Sequence, residues 1–174
     1  MAEKRVLRQE KLSCNAFTLA ELMIVVVIIS IAALLAVPMM SSAADSQLRS
    51  AVNMIAADLE YAKSMSISRQ QDYSVVFDVG GNSYEIRDES GSVIDHPMRV
   101  GTLFSVTLSD DSRLSEVELD SVSFDSTSTV SFDYLGSPSN GSGTPLNSGS
   151  IVLDAGNYSM TITVQPVTGF LTIQ

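Results

Sequence analysis

The sequence predicts an α+β fold in which one long, bent N-terminal helix is followed by a head of antiparallel strands. Three observations carry that prediction. From Leu22 to Met40 only Ser30 and Pro38 interrupt an apolar run. From Leu48 to Met65 apolar residues recur at spacings of three and four, and from Tyr73 onward the period switches to two. An amphipathic helix laid on a small antiparallel sheet satisfies both periods at once. The 174 residues suffice for one domain with an appendage. They sort into a basic leader (1–16), a hydrophobic helix (17–40), its amphipathic continuation (41–71) and a β-rich head (72–174).

The leader is set apart by charge. Residues 1–16 hold Lys4, Arg5, Arg8 and Lys11 against Glu3 and Glu10, whereas the whole chain carries a formal net charge of −10. A basic flank before an apolar segment keeps the N-terminus cytoplasmic and sends the remainder across the membrane. The acidic body has no electrostatic reason to bind nucleic acid, since counterion release needs Lys and Arg. The one cysteine, Cys14, excludes an intrachain disulfide. It also precedes the apolar run, where a lipoprotein anchor would need it to follow.

The apolar run admits three readings. An ordinary secretory signal peptide could end at Ser42-Ala43-Ala44 and release a soluble periplasmic binding protein or enzyme beginning at Asp45. The run is longer than a usual h-region of roughly 7–15 residues, and Glu21 lies at its mouth. A plain single-span anchor explains the length, because about 18 apolar residues cross a bilayer, but not the acid. A carboxylate in hydrocarbon costs a few kcal/mol and is kept where it gains a partner; near the helix end it can also snorkel to the interface.

The third reading rests on Ala16-Phe17-Thr18-Leu19-Ala20-Glu21, which resembles the processing site of type IV prepilins and type II secretion pseudopilins. The resemblance implies a pilin-like fold and a cut between Ala16 and Phe17 by a prepilin peptidase on the cytoplasmic side. The same enzyme then methylates the new amine of Phe17. Counted from Phe17, Glu21 is the fifth mature residue and Pro38 the twenty-second, the family's places for a glutamate and a helix-bending proline. Ala16 departs from the family's usual glycine, the one residue type smaller than alanine. In the family the glutamate pairs with the N-terminal amine of a neighbouring subunit and sets the axial register as subunits leave the bilayer.

Past Pro38, the stripe Leu48, Val52, Ile55, Leu59, Ala62 and Met65 marks the face that packs on the head. No glycine or second proline interrupts 41–71, so one helix is expected from about Phe17 to Arg69, bent at Pro38. Ser74–Phe77 and Tyr84–Arg87 flank Gly80-Gly81-Asn82, a hairpin signal. Alternating runs follow at 117–119, 122–124, 130–134, 151–153, 158–164 and 170–173. The segment from Gly136 to Gly149 reads as an exposed loop. Ser-Phe-Asp occurs at both 123–125 and 131–133, as two alternating strands rather than a repeat.

The residues 48–78 and 132–174 resemble the GspH/FimT class of minor pseudopilins; the stretch from Asp88 to Asp120 does so only weakly. That class implies two antiparallel sheets packed on the exposed half of the helix. It implies a structural subunit of the periplasmic pseudopilus, with other major and minor pseudopilins, the inner-membrane assembly platform and, before assembly, membrane lipid as partners. The location implied is a single pass through the inner membrane, with the head in the periplasm. A minor pilin of a type IV pilus or DNA-uptake system shares the fold, although no Lys or Arg follows Asn147 to serve a basic DNA-binding surface.

Enzyme chemistry finds little support, and no cofactor is expected. His96, the sole histidine, stands in Asp95-His96-Pro97 without a second metal-ligand signature and reads as a solvated loop residue. No Gly-x-Ser-x-Gly, HExxH or phosphate-cradling glycine loop is present. Asp110, Asp111, Glu116, Glu118 and Asp120 offer hard oxygens to calcium, but alternating acids on strands more often form a solvated face that resists aggregation. No metal site is assigned.

Overall fold

The structure, a computed structural model, describes residues 18–174, with backbone alone for 34–42. The leader, Cys14 and the Ala16-Phe17 junction lie outside the described residues. The chain divides after Pro38 into two units.

In the first unit, helix α1 (Leu19–Arg69) begins with apolar side chains exposed on every side, from Leu19 through Leu22, Met23, Ile24 and on to Ile31. Such a helix needs a non-aqueous or protein environment to cover it. Past Glu21, the one polar interruption among the described side chains of this unit, Ser30, is satisfied internally, its hydroxyl donating to the Val26 carbonyl at 2.7 Å. Among the described residues no helix is long and apolar enough to cross a membrane; the run continues into 34–42, whose side chains are not described. The helix continues through Pro38.

In the second unit the same helix forms one wall of the head. Ala44, Leu48, Ala51, Val52, Ile55, Leu59 and Ala62 are buried, and the stripe ends on Ser66. Ser66 takes the buried place one turn past Ala62 that Met65, only partly buried, does not. Its hydroxyl donates back to the Lys63 carbonyl at 2.8 Å, so no donor is stranded in the core.

Two antiparallel sheets complete the head. The first has the order β3-β2-β1-β5-β6, from strands β1 (Tyr73–Asp78), β2 (Ser83–Arg87), β3 (Ser105–Thr107), β5 (Thr129–Phe132) and β6 (Pro138–Asn140). The second has the order β4-β7-β8-β9, from β4 (Val117–Phe124), β7 (Gly149–Ala155), β8 (Tyr158–Val164) and β9 (Leu171–Ile173). Alternation places Val75, Phe77, Tyr84, Ile86, Val130 and Phe132 inward from one sheet, and Val117, Leu119, Ile151, Leu153, Ile162 and Val164 inward from the other.

Asn82 ties the sheets together. It sits at φ 46 in the β1–β2 turn, a left-handed conformation that Asn tolerates well. Its side-chain amide donates to the Val117 carbonyl and its oxygen accepts from the Leu119 amide, both at 2.9 Å.

The segment 136–149 departs from the expected exposed loop. Pro138, Asn140, Leu146 and Gly149 are buried, and β6 adds a strand to the first sheet. Asn140 organises the turn that follows: its Oδ1 accepts from the Ser142 and Thr144 amides and the Thr144 hydroxyl. Composition reads such a stretch as loop because Ser, Asn and Gly favour turns; it carries no sign of where the turn folds back.

Candidate functional site

The N-terminus of α1 is built by two residues. The Thr18 amide and hydroxyl both donate to the Glu21 carboxylate at 3.1 Å, and the Glu21 amide donates to the Thr18 hydroxyl at 3.2 Å. This is a capping box, a reciprocal pair that satisfies donors a helix end otherwise leaves open. Glu21 therefore has a local partner in the single chain, and its negative charge sits at the positive end of the helix dipole. Sequence reasoning does not single out Thr18, although Thr-x-x-Glu before an apolar run is the capping-box pattern.

Of the other candidate residues, Ala16 and Phe17 lie outside the described residues, and Pro38 lies within α1 with its side chain undescribed. Leu48, Val52, Ile55 and Leu59 are each no more than 1% exposed and belong to one core with both sheets. Among the described residues no group of three or more His, Cys, Asp or Glu is placed to hold a metal ion. Of the five acids considered for calcium, Asp111 is held by Arg113, whose guanidinium lowers its carboxyl to about 2. Glu118 and Asp120 point outward from β4.

A polar contact that periodicity does not reveal joins α1 to the first sheet. The Tyr84 hydroxyl, on β2, donates to the Asp58 carboxylate, on α1, at 2.5 Å. Burial pushes the Asp58 carboxyl above its usual range, while the Tyr84 hydrogen bond and the nearby His96 pull it back. Tyr84 is raised by burial and by the Asp58 charge. His96 is half-buried rather than a solvated loop residue: its ring stacks on Phe104 at 4.5 Å, and Phe104 stacks on Tyr61 of the helix at 5.7 Å.

A raised carboxyl makes the folded state bind its proton more tightly than the unfolded chain does. Its contribution to stability therefore falls as pH rises from 3.8 through the folded value. Tyr84→Phe is expected to destabilise the head by about 1.5–3 kcal/mol at pH 7, the usual worth of a hydrogen bond to a charged group. The loss should shrink at pH 3.8, which lies below the raised folded value, so that Asp58 there carries its proton. Thermal unfolding of the full chain at the two pH values measures both quantities; an equal loss at each would count against a charged Asp58.

The arrangement supplies packing surfaces and a capped apolar helix, and the comparisons with known proteins agree with that. A family model described as type II transport protein GspH matches residues 51–168, more than half of the chain. A prokaryotic N-terminal methylation motif matches residues 11–37. No curated protein shows a significant sequence match. Among solved structures, the minor pseudopilin EpsH from the type 2 secretion system of Vibrio cholerae is similar in fold. The match has a TM-score of 0.52 and 12% identity, over 74% of this chain and 96% of EpsH. The type IV minor pilin FimU of Pseudomonas aeruginosa matches with a TM-score of 0.49 and 13% identity, over 74% of this chain and 89% of FimU.

Proposed function

Because the chain belongs to the GspH family, we propose that it is a minor pseudopilin of a type II secretion system, a non-enzymatic subunit of a periplasmic pseudopilus. The observation that carries this reading is the family match itself, which spans the helix-and-two-sheet head almost to its last strand. The methylation motif over 11–37 implies processing by a prepilin peptidase before assembly.

The mechanism is assembly. Removal of residues 1–16 frees the Phe17 amine, which is then methylated. The hydrophobic helix anchors the chain in the inner membrane, N-terminus inside and head in the periplasm. During assembly it leaves the bilayer and enters the filament core, bent at Pro38 to fit. Glu21 exchanges part of its capping contact for the Phe17 amine of a neighbour, and that exchange fixes axial register. The face formed by Leu48, Val52, Ile55 and Leu59 stays committed to the chain's own head, which leaves the outer surfaces of the sheets for other subunits.

Deletion of the gene tests the reading. Secreted proteins are expected to accumulate in the periplasm while surface pili and DNA uptake are unchanged, and the intact gene should restore secretion. Mass spectrometry of the restored protein should find N-methylated Phe17. Loss of pili with normal secretion would place the chain in a pilus instead, and a chain starting at Asp45 would overturn both.

A further inference from the structure

Of the four sheet edges, three carry features that discourage the addition of another strand. The β4 edge presents Glu118 and Asp120 and changes register between Leu119 and Ser121. The β6 edge starts at Pro138 and the β3 edge passes directly into a 3-10 turn at Leu108–Asp110; β3, β6 and β9 are equally short, at three residues each. The β9 edge differs. Phe170-Leu171-Thr172-Ile173-Gln174 contains no charge, no proline and no bulge.

The hydrogen-bond register shows what that edge offers. Gln165 donates to the Phe170 carbonyl, and Thr161 and Gln174 exchange both of their backbone hydrogen bonds. An antiparallel ladder alternates, so Thr163 and Thr172 form the bonded pair between them, and the pairs Ile162–Ile173 and Val164–Leu171 are non-bonded. The amides and carbonyls of Leu171 and Ile173 consequently face away from β8, toward the open edge. Their side chains share the face of buried Ile162 and Val164, yet Ile173 is 40% exposed. The core is therefore thinly covered along this edge.

An exposed apolar surface continues from the edge. Val167 and Phe170, in and after the turn that leads to β9, are 78% and 60% exposed. That turn lies against the loop 133–137: a Cβ built on Gly169 would be 3.1 Å from the Gly136 carbonyl and from the Phe132 ring. The loop exposes Tyr134 and Leu135. Gly136 in turn lies on Ile67 at the end of α1, which is also exposed.

We propose that β9 accepts an extended segment of a different filament subunit, which adds as a fifth strand to the second sheet and continues over the Val167–Phe170 turn. Main-chain bonds to Leu171 and Ile173 would hold it, and alternate apolar residues would close the core beside their side chains. Charge selects the occupant. Residues 41–174 hold seventeen acidic and six basic residues, so a second copy of this acidic head is repelled and a segment flanked by Lys or Arg is favoured. The proposal rests on the pseudopilin reading only in taking the partner to be another subunit of the filament. The family match ends at Thr168, before β9 begins.

Ile173→Pro is the test, because it removes an outward amide and leaves the β8–β9 bonds in place. The full chain is co-expressed with the other pilin-like subunits of its system, solubilised in mild detergent, and compared with wild type and with Ile173→Val. Ile173→Pro should be processed normally and unfold within a few degrees of wild type, yet recover about fivefold less of the partner subunit. Ile173→Val should behave as wild type. A photo-crosslinker at residue 173 should mark one extended, alternating segment of that partner. Wild-type recovery by Ile173→Pro would overturn the proposal, and so would crosslinks confined to a second copy of this chain. Normal secretion after gene deletion would instead overturn the functional reading and leave the crosslink result standing.

Discussion

Glu21→Ala is expected to leave the protein processed and membrane-inserted but to lower its recovery in the filament fraction at least tenfold. Two contributions are lost together. One is the capping box with Thr18, worth about 1 kcal/mol at a helix N-terminus. The other, on the proposed assembly route, is the charge offered to the Phe17 amine of a neighbour. Glu21→Gln separates them, because glutamine can hold the capping box with threonine but carries no charge. If register depends on charge, Glu21→Gln should assemble as poorly as Glu21→Ala. If capping alone matters, Glu21→Gln should assemble normally and Thr18→Ala should fail. Normal co-assembly of Glu21→Ala with its partner subunits would remove Glu21 from the mechanism.

Ile55→Ala should cost the head about 2–5 kcal/mol, the range for truncating a fully buried large aliphatic side chain. Ile55 is fully buried on the helix stripe within the core that both sheets share. A loss of that size is a large part of the 5–15 kcal/mol that holds a typical domain together. Ile67→Ala on the same helix is the control, because Ile67 is 48% exposed and should cost far less. Thermal unfolding and limited proteolysis of the full chain read both changes. Equal losses at the two positions would mean that the stripe does not anchor the head.

Why was the frame legible and the detail not? The stripe from Leu48 to Ala62 needs only a period, and a period survives in any sequence that buries one helix face. The hairpin at 78–83 is equally local, because two glycines and an asparagine mark its turn. Contacts that join distant segments leave no such trace. Asp58 and Tyr84 are 26 residues apart, and neither is unusual in its own helix or strand. Asn140 is one of several polar residues in its stretch, and only the fold gives it three donors to accept. The two Ser-Phe-Asp tripeptides lie between these cases. Phe124 and Phe132 are both fully buried, and the aspartate after each binds backbone amides of a turn: Asp125 those of Asn147 and Ser148, Asp133 those of Leu135 and Ser137. The alternation was readable; the capping by each aspartate was not. At the N-terminus the opposite holds, since Thr18-x-x-Glu21 states its local contact in four residues.

The burial of α1 along the head also decides how the protein bears force. From Ala44 to Ser66 the helix spans roughly 33 Å at 1.5 Å per residue, and residues along that whole length sink into the core. A pull along the helix axis therefore loads every one of those contacts in shear at once, with no end from which they can be peeled one by one. On the proposed assembly route, in which the helix is drawn out of a membrane, this geometry lets the subunit be pulled by its helix without shedding its head.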